Sequence, residues 1–343
     1  MAQGKFAEAL RVVKKDIALP GVLGRICPAP CERACRRRNI DEPVSICSLK
    51  RYAADFDLDA NDHFLPSLSP SNGKRIGIIG TGPAGLSAAY FLLQKGYQCI
   101  LFDKNPLAGG ALRYSIPDDR YDKSVLDKEI AIIASMGAEF RMNKDIPATA
   151  LAKLRNEFDG IIIATGEENA DFEGVNKENR SFITEKNTHR TNIEGVFAIG
   201  SAIKPGRIAI RAVAHGKEAA FSMDQYLKGE VVVGEIQKFN SKIGRMQEDE
   251  YEAFMLEADS GPRIETKEKE GFSLEQVKLE AARCMHCDCR KKTDCRLRDY
   301  SDEYDASQKR FSPRPARLSA RYFSISHWSM NLKNASSAAS AYA

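Results

Sequence analysis

Short apolar runs alternate with longer amphipathic stretches between residues 75 and 230. RIGII at 75–79 and QCILF at 98–102 predict buried strands. Between them Leu86, Ala89, Tyr90 and Leu93 recur at i, i+3, i+4 and i+7, which predicts a helix. FDGIIIATG at 158–166 and GVFAIGSA at 195–202 predict two more strands, the second followed by a helix from about Ile208. Alternating strand and helix imply an α/β domain on a parallel sheet. Four zones follow. Residues 1–70 read as a helical, cysteine-rich domain whose end, within 60–74, is a linker rich in Ser, Pro and Asn. Residues 71–230 form the α/β domain. Residues 231–300 are charged and helical. Residues 301–343 form a basic, low-complexity tail closing on NASSAASAYA.

The composition is globular: 343 residues, 43% apolar and 29% charged, long enough for two or three domains. It excludes a collagen, a wholly disordered chain and a small disulfide scaffold. No apolar run reaches the length of a membrane-spanning helix. The opening MAQGKFAEALRVVKK lacks the apolar core and cleavage site of a signal peptide. The expected compartment is the cytoplasm, where cysteines serve as metal ligands rather than disulfides. The net charge of +4 is concentrated in residues 305–343, where Lys309, Arg310, Arg314, Arg317, Arg321 and Lys333 face only Asp305. A basic tail on a near-neutral body argues against nucleic-acid binding.

The first strand runs into Gly80-Thr81-Gly82-Pro83-Ala84-Gly85, a G-x-G-x-x-G opening the helix. Glycines let the backbone turn tightly and approach a pyrophosphate, and the helix start offers free N–H groups and partial positive charge. Pro83 loses no helix hydrogen bond in the first turn. The second strand ends at Asp103, near the spacing of a ribose-binding carboxylate. Strand, turn, helix, strand and acid occur in the order a dinucleotide site needs. A bare glycine turn is the alternative.

Eight of the nine cysteines fall in two clusters. The first is Cys27, Cys31, Cys35 and Cys47. A spacing of four places neighbours about 6 Å apart along a helix axis. Pro28 and Pro30 keep Cys27 in a loop, so the first three need not spread along one straight helix. Arg25, Arg33, Arg36, Arg37 and Arg38 crowd these thiols and would stabilise thiolates. The second cluster is Cys284, Cys287, Cys289 and Cys295, with His286 read as an exposed neighbour. Iron–sulfur, zinc and metal-free thiols remain open for both on spacing alone. Cys99 sits mid-strand as a core residue. The α/β domain has no C-x-x-C, so no dithiol for disulfide reduction. His63, His189, His215 and His327 read as isolated structural or surface residues.

LPGVLGRICPAPCERACRRRNIDEPVSICSLKRYAADF, then GTGPAGLSAAYFLLQKGY and FDKNPLAGGALRYSIP, resemble the glutamate synthase small-subunit family, which includes the N-terminal part of dihydropyrimidine dehydrogenase. The resemblance covers residues 17–230. It implies a Rossmann-like FAD-binding domain, preceded by an α-helical iron–sulfur domain and followed here by a cysteine-rich C-terminal extension. It implies that the turn at Gly80, Gly82, Pro83, Ala84 and Gly85 holds the FAD pyrophosphate. Asp103, with Lys104 beside it, takes the adenosine ribose. Gly109, Gly110 and Leu112 lie against the flavin, with Thr165 and Gly166 closing the strand end. Gly200, Ser201 and the helix from Ile208 meet the rest of the cofactor. Serine stands at 201 where the family has aspartate.

Family members share 4Fe–4S clusters between cysteines like Cys27, Cys31 and Cys35 and others upstream, and residues 1–26 contain none. Cys47 lies outside the family pattern. A segment like EAARCMHCDC occurs in C-terminal extensions of related proteins, implying a further cluster. The family inserts an NADPH domain into the FAD domain. Here 27 residues separate Gly166 from Glu194, too few for a mononucleotide unit of about 30. The expectation is an FAD-dependent iron–sulfur oxidoreductase that moves electrons to or from a partner redox subunit or electron-carrier protein, with NADPH reached only through that partner. Its alternative is a non-catalytic FAD- or zinc-binding scaffold, or a degenerate fragment of such a reductase. No side chain is singled out as catalytic.

Overall fold

Phe6 and Leu10 set the inner face of the first helix, α1 (Phe6–Lys14), and Lys14 ends on that same buried face. The computed structural model describes residues 1–167, 171–206, 208–235, 246–265, 270–287, 300 and 303–304. Cys289, Cys295, His327 and nearly all of the expected tail lie outside the described residues. Helix α2 (Pro20–Ile26) starts on a proline and stops at Cys27, whose backbone is extended. Helix α3 (Pro30–Arg33) is a single turn entered through Ala29 at φ 51°. Helix α4 (Ile46–Leu58) buries Cys47, Ala53, Ala54 and Leu58 against α1 and α2. Residues 60–74 then form an irregular connection.

The α/β domain follows in strands β1 (Arg75–Ile79), β2 (Gln98–Phe102), β3 (Glu139–Arg141), β4 (Gly160–Ile163), β5 (Lys177–Glu178), β6 (Ser181–Phe182) and β7 (Val196–Ala198). Five make one parallel sheet in the order β3-β2-β1-β4-β7, and β5 with β6 forms a separate hairpin. Ile76 aligns with Cys99 and Gly160 in the register of its neighbours. Both faces are buried, so the strands read as unbroken apolar runs. Ile76, Ile78, Leu101 and Phe197 pack under α5 (Pro83–Gln94), α7 (Lys123–Ser135) and α9 (Ala209–Leu227). Ile79, Phe102, Ile163 and Val196 pack with α8 (Leu151–Glu157) on the other face. A short α6 (Ala111–Tyr114) precedes α7. Strand order reverses between β1 and β4, the switch point where open α/β sheets bind ligands.

The chain then returns to its beginning. Helix α10 (Glu248–Met255) and helix α11 (Leu274–Ala282) belong to this C-terminal segment. Phe272 and Val277 pack with Phe6, Leu49 and Tyr52. Two buried arginines lock the ends together. Arg37 is 0% exposed and Arg283 1%. Arg37 donates to the carbonyls of Asp259 (2.7 Å) and Arg283, and forks onto Asp41. Arg283 donates to the carbonyls of Glu42 (2.9 Å) and Gly261 (3.0 Å), and to Glu280 (3.0 Å). Buried guanidinium groups persist only when their N–H donors are satisfied. These donors find partners from both ends of the chain.

A buried carboxylate joins the helices to the sheet domain. Glu129 on α7 accepts from the backbone N–H groups of Gly21 (2.7 Å) and Val22 (3.0 Å), the free donors at the start of α2. Burial raises its pKa to about 7, against the lowering effect of those two N–H groups and of Lys14 and Arg25.

Two outcomes are expected. The folded Glu129 binds its proton more tightly than the unfolded side chain. The stability it contributes is therefore complete below about pH 4.5 and is lost as pH rises through about 7, on the order of 3 kcal/mol. Urea unfolding across this range will fall with rising pH, and Glu129→Gln will flatten the slope. Arg283→Ala strands Glu280 and Asp41 and will destabilise the helical unit by about 3–5 kcal/mol, read by urea unfolding followed by circular dichroism.

Candidate dinucleotide and metal sites

Gly80 leaves β1 at φ 109°, and a Cβ there would stand 2.3 Å from the Ala164 carbonyl oxygen. The turn thus presses directly on the end of β4. Gly85 faces the same limit, with a Cβ 2.0 Å from the Gly80 carbonyl oxygen. Gly82 differs. Its φ is −72°, and a Cβ would meet nothing nearer than Gly110 Cα at 3.9 Å. Pro83 opens α5 and Ala84 follows it. The helix start carries no side-chain cap, which leaves its first N–H groups aimed over the turn.

Around this turn the fold gathers the other residues expected there. Gly109 is buried and donates to the Thr81 carbonyl at 3.0 Å, while Gly110 comes so close that a Cβ would meet Gly82 Cα at 2.6 Å. Leu112 is a core residue whose carbonyl accepts from Tyr121 at 2.6 Å. Thr165 follows β4, its buried Oγ1 having no hydrogen-bond partner among the described residues. Gly166 turns the chain away at φ 76°. Gly200, after β7, packs on the Ala84 side chain and admits no Cβ, which would stand 2.8 Å from it. Ser201 donates to the Gly206 carbonyl at 3.2 Å and ties down its own loop. Ile208 is the half-exposed residue before α9, and α9 is drawn against α5 by Gly216, where a Cβ would meet the Ala84 carbonyl oxygen at 2.4 Å. Lys104 is exposed.

Asp103 has a partner that the sequence pattern did not reveal. One carboxylate oxygen accepts from the Thr81 N–H (2.9 Å) and hydroxyl (2.6 Å), and the other from the Asn105 N–H and amide, both at 2.9 Å. These four donors match the capacity of a carboxylate. Asp103 therefore orders the turn itself. Taking a ribose hydroxyl requires an exchange with Thr81 or Asn105.

The residues fit a bound dinucleotide. They supply an uncapped helix start, glycine close approaches at the switch point and an orphaned buried hydroxyl on its rim. Gly82, Ala84 and Gly85 would hold the pyrophosphate, and Gly109, Gly110, Thr165 and Gly200 would line the remainder.

The first cysteine group divides. Cys27 caps α2, Cys31 lies on α3, Cys35 follows it in extended conformation and Cys47 begins α4. Cys31 and Cys47 meet in a thiol hydrogen bond. That bond lowers Cys31 to about 6 and raises Cys47, which burial raises further. The charge of Cys27 is also felt at Cys47. The donor chemistry fits a thiophilic centre. Among the described residues no three ligand-type side chains already surround one point, so closure on a metal needs rotation about the cysteine χ1 bonds.

Two arginines of the run are spent on carboxylates rather than on the thiols. Arg25 pairs with Asp55 at 2.8 Å and Arg37 with Asp41 at 2.7 Å, because each carboxylate is near in the fold. Glu32, beside Cys31, accepts from the Cys47 N–H at 2.9 Å and from Arg263 at 2.8 Å. In the second group Cys284 and Cys287 are half-buried and His286 is exposed. Cys99 is 1% exposed in the core. His189 and His215 are not isolated: their rings pack 4.9 Å apart, and His189 meets Glu218 at 2.7 Å. The loop before β7 folds onto α9 and brings them together. A cavity of about 550 Å³ opens between α2, α4 and the loop entering α7, lined by Arg25, Arg51, Tyr121 and Lys123 among others. None of the expected site residues lines it.

Residues 1–62 match the family described as dihydropyrimidine dehydrogenase domain II, 4Fe–4S cluster, and residues 78–144 match the NAD(P)-binding Rossmann-like domain family. The chain is 36% identical over 184 residues to the NADPH-Fe(3+) oxidoreductase subunit beta of Geobacter sulfurreducens strain DL-1 / KN400, covering 52% of this chain and 27% of that protein. It is 37% identical to the NAD-dependent dihydropyrimidine dehydrogenase subunit PreT homolog of Salmonella typhi, over 47% of this chain and 40% of that protein. It is 34% identical to the glutamate synthase [NADPH] small chain of Bacillus subtilis strain 168, over 48% of this chain and 34% of that protein. The chain thus spans well under half the length of these curated relatives. Over the matched half it is homologous to the FAD and iron–sulfur small-subunit oxidoreductases. No helix among the described residues is long and apolar enough to cross a membrane.

The environment of Gly82 yields a selective test. Gly82→Ala places its methyl group in space that the protein leaves open, so the fold will be kept. The same methyl group enters the approach path of a pyrophosphate, and flavin content of the purified chain will fall by about tenfold or more. Unchanged flavin content with intact circular dichroism would remove this turn from the cofactor site.

Proposed function

We propose that this chain is an electron-transfer module of the FAD and iron–sulfur small-subunit type, working with a partner redox subunit or electron-carrier protein. The observation that carries the reading is the joining of β4 to β7. They pair in parallel, and the described residues between them form only the β5-β6 hairpin and irregular chain. That path has no second dinucleotide domain among the described residues. A pyridine nucleotide would therefore reach this chain through its partner. All three relatives bear names of subunits or small chains with NADPH or NAD in the name, and a shared assembly of that kind is the reading for this chain.

A bound flavin accepts two electrons and returns them singly, and an iron–sulfur cluster carries one. The chain's own residues bind and orient. Gly82, Ala84 and Gly85 present backbone donors to the pyrophosphate, and Gly80 presses the turn against β4. Gly216 lets α9 lie against α5, which fixes where the start of α9 points. Glu129 sets the start of α2, and Cys27 ends that helix, so one buried carboxylate fixes the first cysteine group relative to the sheet. Cys27, Cys31, Cys35 and Cys47 would hold the first centre. Cys284, Cys287, Cys289 and Cys295 would hold the second. We assign the protein to the cytoplasm, where such thiols stay reduced.

A second reading has one observation in its favour. Asp103 is saturated by Thr81 and Asn105, and Cys31 is paired with Cys47, as in a chain that keeps the family fold without its redox groups. It would then be a scaffold carrying zinc or retained FAD. Anaerobic purification, with flavin, iron, sulfide and zinc assayed before NADPH and then dithionite are added, separates the two. Electron transfer predicts flavin and iron absorbance that bleaches with dithionite and is stable to NADPH. Rapid bleaching by NADPH would contradict the reading that a pyridine nucleotide reaches this chain through its partner. Stoichiometric zinc without iron would contradict the electron-transfer reading.

A further inference from the structure

We propose that Cys284 and Cys287, from one end of the chain, and Cys27, Cys31, Cys35 and Cys47, from the other, serve adjoining metal centres in one structural unit, close enough to exchange electrons directly. This rests on the iron–sulfur reading above and adds where the second centre sits. Arg36, the residue after Cys35, donates through Nη1 to the backbone carbonyl of Cys287 at 2.6 Å. Arg37 donates to the carbonyl of Arg283, the residue before Cys284. The backbone carrying Cys284 and Cys287 therefore lies within reach of the two arginine side chains that follow Cys35.

Further ties hold the same approach. Ser45, two residues before Cys47, donates its N–H to Glu280 Oε1 at 2.8 Å, and the other oxygen of Glu280 accepts from Ile264 at 2.8 Å. Glu32 bridges the Cys47 N–H and Arg263. Glu280 is 0% exposed, so these bonds are shielded from competing water. Sequence neighbours of Cys31, Cys35 and Cys47 are thus bonded to the 259–287 segment. A docking of this density fixes position, whereas a tethered extension would not. Transfer between such centres oxidises one by one electron and reduces the other by one, with no bond made or broken. Positive charge at Arg36 beside the Cys287 carbonyl favours the more reduced, more anionic state of the adjoining centres.

Two measurements on the full chain test this. The first is electron paramagnetic resonance of the anaerobically purified, dithionite-reduced protein. Adjoining centres predict a spectrum broadened or split by spin–spin interaction. The Cys284→Ser/Cys287→Ser variant will lose roughly half the iron and give a simple, unsplit signal. The Cys31→Ser/Cys47→Ser variant will do the same for the other centre. Full iron content with a spectrum equal to the sum of the two variants' spectra would overturn the adjacency and leave the iron–sulfur reading standing. The second measurement needs no iron. A short bismaleimide applied to the metal-free chain will give crosslinked peptides joining Cys35 to Cys284 or Cys287. Crosslinks confined within each group, in a chain whose circular dichroism matches the untreated protein, would overturn the adjacency on their own.

Discussion

The hydrogen bonding of two buried arginines, Arg37 and Arg283, across the two ends of the chain is the constraint on which this architecture depends. Each guanidinium is almost wholly removed from water, and each places at least one donor on a carbonyl from the opposite end of the chain. Neither arginine keeps its partners unless both ends are folded, so the helical unit forms from residues 1–58 and the 246–287 segment together. An uncompensated buried charge costs several kcal/mol, which makes this closure close to all-or-none. The interlock also decides where chemistry is placed. It lies between Cys35 and Cys47 in sequence on one side, and directly before Cys284 on the other.

The second constraint is Glu129. It crosses from the sheet domain to the first N–H groups of α2, and α2 delivers Cys27. The glycine turn after β1 and the thiol at the end of α2 are thereby held on one path. Position is what an electron-transfer protein contributes, since the redox chemistry belongs to its cofactors.

The glycine turn was legible in the sequence because its information is local. A strand, three glycines, a helix and an acid fall within 29 residues from Arg75 to Asp103, and each has a steric or hydrogen-bonding reason visible in the residue type. The parallel sheet was legible for the same reason, through apolar runs in RIGII, QCILF and GIII. The role of Asp103 was only partly legible. Its partner Thr81 is an unmarked x in the motif, and only the fold brings the two together. The interlock was invisible. Arg37 and Arg283 are 246 positions apart, and a run of arginines beside cysteines reads as charge around thiolates. The pairing of His189 with His215 was missed likewise, because neither stands in a motif and a loop brings them together.

The central claim is that both ends of the chain form one cysteine-bearing unit seated on a dinucleotide-binding sheet. Anomalous diffraction at the iron edge from crystals of the anaerobically purified full chain addresses it most directly. The account predicts two iron peaks in the same helical unit, one among Cys27, Cys31 and Cys47 and one at Cys284 and Cys287, with Arg36 still on the Cys287 carbonyl. A second peak remote from Arg36, or scattering at the zinc edge in place of iron, would contradict it.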